Sequence, residues 1–91
     1  MRITENKIAQ LIKEVNALES KVHPIDSARY RNGELWSYDY FAHYGVYIRR
    51  GMVNPLYDLT TARVAPKEAY MYLLGIKNSL AYNLEYTLQH S

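Results

Sequence analysis

The chain has 91 residues, enough for one hydrophobic core but too few for two domains. Its hydrophobic content of 48% and charged content of 22% mark a globular chain, and the absence of cysteine excludes disulfides, thiolate metal sites and a thiol nucleophile together. A net charge of +2 is too small to imply nucleic-acid binding by itself.

No apolar run approaches the ~20 residues that span a bilayer. The first residues lead into an amphipathic stretch, not a signal-type apolar region. The expectation is a cytoplasmic protein with no membrane partner. Between His23 and Ala65 every basic residue except histidine is Arg (Arg29, Arg31, Arg49, Arg50, Arg63), while the lysines lie in the flanking segments. Six of the ten tyrosines and the lone Trp36 share that central stretch. Arg and Tyr both combine a flat stacking surface with hydrogen-bond donors.

In chain order, residues 4–20 are predicted to form a helix. Ile8, Leu11, Ile12, Val15 and Leu18 recur at three- and four-residue spacing, Thr4 is the N-cap, and Glu5, Lys7, Lys13, Glu14 and Glu19 take the other sides. Residues 21–33, with Pro24 and Asn32-Gly33, are predicted to be a connector containing a loop or a short edge strand. Three strands follow, at 34–41, 46–53 and 57–64. They are rich in aromatic and β-branched residues and are separated by Tyr44-Gly45 and Asn54-Pro55. Residues 66–89 are predicted to be a long helix opening with Pro66 and Glu68. Its apolar stripe is Ala69, Leu73, Ile76, Leu80, Leu84 and Leu88. Gly75 interrupts this helix at a cost of ~1 kcal/mol relative to Ala, which close packing on the sheet or on a partner would explain.

The expected fold is thus α+β, in the order α-β-β-β-α: a three-stranded antiparallel meander with two helices on one face, as a single domain over 1–91. The last helix would be ~36 Å long and outrun the sheet. Its overhang, carrying Tyr82, Leu84, Tyr86 and Leu88, points to a homo-oligomer, most simply a dimer.

Three segments resemble a family of small uncharacterised proteins of tailed bacteriophages. Asn16-Ala17-Leu18 with Pro24 and Tyr30 resembles its helix end and proline loop. Tyr38 and Tyr44-Gly45-Val46-Tyr47 resemble its Tyr-rich strand, Gly turn and second strand. Lys67-Glu68-Ala69-Tyr70 resembles the opening of its last helix. The chain departs from the family's pattern at Val46, where a second Gly is usual, and at Gly51 and Asn54-Pro55, where a Gly-rich turn is usual. The resemblance implies a phage accessory protein acting in the host cytoplasm. It implies no activity.

Catalytic patterns are not visible. None of Ser20, Ser27, Ser37, Ser79 and Ser91 sits in a Gly-x-Ser-x-Gly elbow. His23, His43 and His90 lack metal-ligand spacing, and the isolated glycines form no phosphate loop. His43, beside the Tyr44-Gly45 turn, is the best-placed histidine. Glu34 with Asp39 or Asp58 offers paired carboxylates, but solvated strand positions explain them equally well. The expectation is a binding module without cofactor or metal, not an enzyme.

The candidate binding constellation is Trp36, Tyr38, Tyr40, Tyr44, Tyr47, Arg49 and Arg50. Strand alternation is expected to put Trp36, Tyr38 and Tyr40 with Tyr47 and Arg49 on an open face. Arg50 would reach round the strand end, and Leu35, Phe41, Val46, Ile48 and Leu59 would lie beneath the helices. Such a face suits a protein interface, foremost an inhibited host protein, because Trp, Tyr and Arg dominate interface energetics. It also suits stacking of a nucleotide or single-stranded nucleic acid. A third reading makes the tyrosines part of the core, with their hydroxyls at the rim. A virion assembly role is a further alternative. The α-β-β-β-α order is shared with the double-stranded RNA-binding domain, an analogy of fold only, and Lys67 alone stands where that domain has a lysine cluster.

Overall fold

The computed structural model describes residues 2–51 and 63–90. Helix α1 runs Glu5–Val22, α2 Pro24–Ala28 and α3 Pro66–His90, with strands β1 (Trp36–Phe41) and β2 (Gly45–Arg50) between α2 and α3.

Helix α1 starts where Thr4, in an extended conformation, accepts a hydrogen bond on its side chain from the Lys7 backbone N–H. The chain from 21 onward departs from the connector expected there. Helix α1 continues to Val22, and after a break at His23 a second helix begins, because Pro24 already has the φ of a first helical residue. Asn32 and Gly33 both take positive φ and close a single 3-10 turn before β1.

Strands β1 and β2 form an antiparallel hairpin that turns at residues 42–44. Its register pairs Trp36 with Arg50, Tyr38 with Ile48 and Tyr40 with Val46. The Tyr44 N–H donates to the Phe41 carbonyl and Gly45 follows at φ 110°, the geometry of a hairpin with a left-handed residue after its turn. Among the described residues the sheet has these two strands and not the expected three-stranded meander, and three α-helices stand where two were expected. Most of the expected third strand lies outside the described residues. Of its described residues, Val64 pairs with the sheet, in an isolated bridge to Val46 with bonds of 2.8 and 2.9 Å. The bridge requires Gly45: a Cβ there would stand 2.7 Å from the Val64 carbonyl oxygen.

Helices α1 and α3 pack against each other, α1 also covering β1 and α3 covering β2. The core joins Ile8, Leu11, Ile12 and Val15 of α1, Leu35 and Trp36, Val46 and Ile48 of β2, and Ala69, Leu73 and Leu80 of α3. Lys77 reaches across to donate to Glu14 Oε1 at 3.3 Å. Along α3 the apolar stripe fades outward: Ile76 and Leu84 are half-buried and Leu88 is 71% exposed. Tyr82 and Tyr86 lie on the opposite side from Leu73 and Leu80, in line with exposed Met71 and Gly75. The expected overhang is therefore not one patch. Its tyrosines face away from the sheet while Leu84 continues the core side.

Among the described residues Gly75 does not pack on the sheet, since a Cβ added there meets nothing within 4 Å. Gly75→Ala is expected to raise stability by about 1 kcal/mol through helix propensity alone. Gly45→Ala is expected to lower it by about 2 kcal/mol, from strain and the closed gap to Val64. Urea unfolding midpoints of the two variants check both signs.

Candidate functional site

The pleat of the hairpin decides which side chains share a face. The cross-strand pairs Trp36–Arg50, Tyr38–Ile48 and Tyr40–Val46 point one way, and Ser37–Arg49, Asp39–Tyr47 and Phe41–Gly45 the other. Val46 and Ile48 are fully buried, so the first set faces the helices. Trp36 is 3% exposed, and Tyr38 and Tyr40 are half-buried and packed on the core. The expected open face of Trp36, Tyr38, Tyr40, Tyr47 and Arg49 is not formed. The phase of β2 matches the expectation and that of β1 is reversed. The reason is energetic: the expected phase would have put Ser37 and Asp39 under the helices and left the three largest rings in water.

The seven candidate residues are dispersed accordingly. Tyr47 and Arg49 lie on the outer face, where Arg49 pairs with Asp39 and its guanidinium sits 5.2 Å from the Tyr47 ring centre. Tyr44 is exposed in the hairpin turn, beside exposed His43, and Arg63 lies over the rings of Phe41 and Tyr44. Phe41, expected beneath the helices, is on the outside. Arg50 turns to the helix side, its Nε 3.7 Å from Glu19 Oε1 and its Nη2 4.0 Å from Asp26 Oδ2.

Two residues of α1 that sequence reasoning missed hold β1 in place. The Asn16 side-chain amide bonds the Trp36 main chain twice: Nδ2 donates to the carbonyl at 2.9 Å, and Oδ1 accepts from the N–H at 2.7 Å. Glu19, expected on the solvent side, is 2% exposed. Its Oε1 accepts from Trp36 Nε1 at 3.0 Å, and its Oε2 is 2.6 Å from His23 Nδ1. The available signal was positional. Asn16 and Glu19 stand four residues after Ile12 and Val15, so they continue the apolar stripe with polar side chains.

The pair of hydrogen bonds between Asn16 and Trp36 also orients the strand. It shows that the Trp36 N–H and C=O point away from β2, into the place a neighbouring strand would occupy. The other end of the hairpin agrees, since Val46, opposite Tyr40, turns its own N–H and C=O to Val64 and not to β1. By alternation, Tyr38 and Tyr40 also present N–H and C=O outward. Among the described residues no other segment pairs with them.

A groove of about 580 Å³ runs beside this edge. One wall is α1, with Ala9, Ile12, Lys13, Asn16 and Ala17. The other is the stretch from Asn32 through Trp36 to Tyr38. The α1 wall is mostly small or apolar, and Lys13 is its one cation. Among the described residues no group of three or more His, Asp or Glu is placed to hold a metal ion. No helix there is long and apolar enough to cross a membrane. Partial burial raises the Tyr72 hydroxyl of α3 above its ordinary pKa, so it stays protonated as a donor. No protein-family model, curated protein or solved structure matches the chain.

Asn16→Leu is expected to cost about 2–4 kcal/mol, because two buried main-chain groups of Trp36 lose their partner. Asn16→Asp keeps the acceptor but not the donor and is expected to recover only part of that loss. Chemical denaturation of the two variants beside the parent measures both.

Proposed function

We propose that this protein is a protein-binding module that captures an extended segment of its partner as an added strand on the outer edge of β1, in the groove beside α1. One observation carries the reading: the N–H and C=O groups of Tyr38, on the groove wall, and of Tyr40, two residues further along the edge, point outward with no strand beside them among the described residues. An open edge of this kind is a template for main-chain pairing, and natural proteins cover or blunt such edges unless they use them. A helix facing a strand edge across a groove is also the arrangement in which peptides add to sheets, with main-chain bonds giving affinity and pockets for alternate side chains giving selectivity.

The groove's volume falls in the ordinary range of ligand sites, ~300–1,000 Å³. With the resemblance of Tyr44-Gly45-Val46-Tyr47 to phage accessory proteins, the partner is a host protein met in the cytoplasm. Inhibition would follow if the captured segment is one the host protein needs. The stacking platform that nucleotide binding would require is less well supplied, because Trp36, Tyr38 and Tyr40 turn their rings to the helices.

Panning a displayed library of random decapeptides against the protein tests the proposal. Selected peptides are expected to slow hydrogen exchange at the Tyr38 and Tyr40 amides by at least about tenfold, the sign of a new ladder bond. Tyr38→Pro removes the outward N–H without breaking a bond to β2, a position where proline is tolerated in an edge strand. It is expected to abolish binding, whereas Tyr38→Ala, which keeps the N–H, is expected to retain it. Peptides that protect Met71, Tyr82 and Tyr86 instead would assign recognition to α3 and overturn the reading.

A further inference from the structure

The edge of β1 is not equally open along its length. At Trp36 the slot of the next strand is already filled by the Asn16 amide, which makes the two bonds a neighbouring peptide would make. A strand added to Tyr38 and Tyr40 therefore meets an obstruction at one end, and continuing past it would mean leaving the plane of the sheet. A chain that stops there meets no such difficulty.

The direction of the added strand decides which terminus that is. Antiparallel pairing is the more stable per residue. Strand β1 runs from Trp36 to Phe41, so an antiparallel ligand runs from Tyr40 toward Trp36 and brings its carboxyl end to Asn16. The counter-charge is in place. Lys13 is three residues before Asn16 on the same groove wall, is exposed, and makes no ion pair among the described residues. Among the described residues it is the only basic one lining the groove, and the only acidic one, Glu34, lies on the N-terminal side of Trp36. Beside Lys13 the wall is apolar, with Ala9, Ala17 and the buried Ile12 leaving room for an aliphatic side chain.

On the reading of β1 as a strand-adding edge, we infer that the ligand is the free carboxyl terminus of a partner chain. Its last paired residue lies opposite Tyr38, its terminal carboxylate is held by Lys13, and an aliphatic final side chain lies against Ile12. Asn16 has a second task beyond holding Trp36: it fixes the register by ending the ladder.

Fluorescein-labelled hexapeptides made both as free acids and as C-terminal amides, varied in the last residue, provide the test by fluorescence polarisation. The tightest free acid is expected to end in Val, Leu or Ile and to weaken about tenfold on amidation, as for loss of a charge-assisted hydrogen bond. Lys13→Gln is expected to bind acid and amide alike without a change in melting temperature, since Lys13 is exposed and makes no ion pair among the described residues. Equal affinity for acid and amide, with binding still lost in Tyr38→Pro, would overturn the terminus inference and leave strand addition standing. Preference for a free amino end that is lost in Glu34→Gln would overturn it in favour of parallel pairing. Failure of every hexapeptide would overturn both readings.

Discussion

Trp36 enters the core only because α1 supplies a partner for each of its polar atoms. Burying an indole removes on the order of 200 Å² from water, worth roughly 5 kcal/mol at ~25 cal/mol per Å². Left unpaired, its main-chain N–H, its carbonyl and its Nε1–H would cost about 1–3 kcal/mol each and cancel that gain. Asn16 meets the first two and Glu19 the third. The buried Glu19 carboxylate needs compensation of its own, because desolvating an ion costs several kcal/mol. It receives the indole N–H, the His23 ring nitrogen and the more distant Arg50 guanidinium. One helix turn thus ties α1, the break before α2 and both strands into a single network.

That network has a geometric consequence for the rest of the molecule. For a side-chain amide to reach an in-plane N–H and C=O, α1 must extend over the edge of β1 and not sit centrally on the hairpin. The other helix then covers β2, and Val64 closes the far edge at Val46. Among the described residues, the hairpin is covered on one face, bridged on one edge and left with a partly blocked second edge. The groove is the space that remains between the overhanging helix and the strand it secures.

Much of this architecture can be read in the chain. The stripe Ile8–Leu11–Ile12–Val15 and the Thr4 cap place α1. Pro66 opens α3, and the Tyr44-Gly45 pair marks the hairpin turn. Helix α2 was hidden because a proline reads equally as a loop marker and as a first helical residue, and five residues are too few to show a period. The phase of β1 is legible in its composition, since Trp36, Tyr38 and Tyr40 carry far more apolar area than Ser37 and Asp39. The edge itself was not legible, since nothing in the order of residues says which way a given N–H points. Only the bonds at Asn16 and Val64 reveal it.

An exposed strand edge invites a second copy of the same sheet as readily as a peptide, so something must favour one over the other. Here α1 does. Pairing two copies edge to edge would bring two α1 helices, each overhanging its own β1, into the same space beside the shared seam. A lone extended segment carries no helix and meets a wall that includes Ala9, Ile12, Lys13 and Ala17. Asn16 adds a second barrier, because a neighbouring β1 could pair with Tyr38 and Tyr40 but not with Trp36, and so would forfeit part of its ladder. The polar side chain that lets Trp36 be buried is therefore the one that discriminates against self-association, and a core requirement and a recognition rule fall on the same residue.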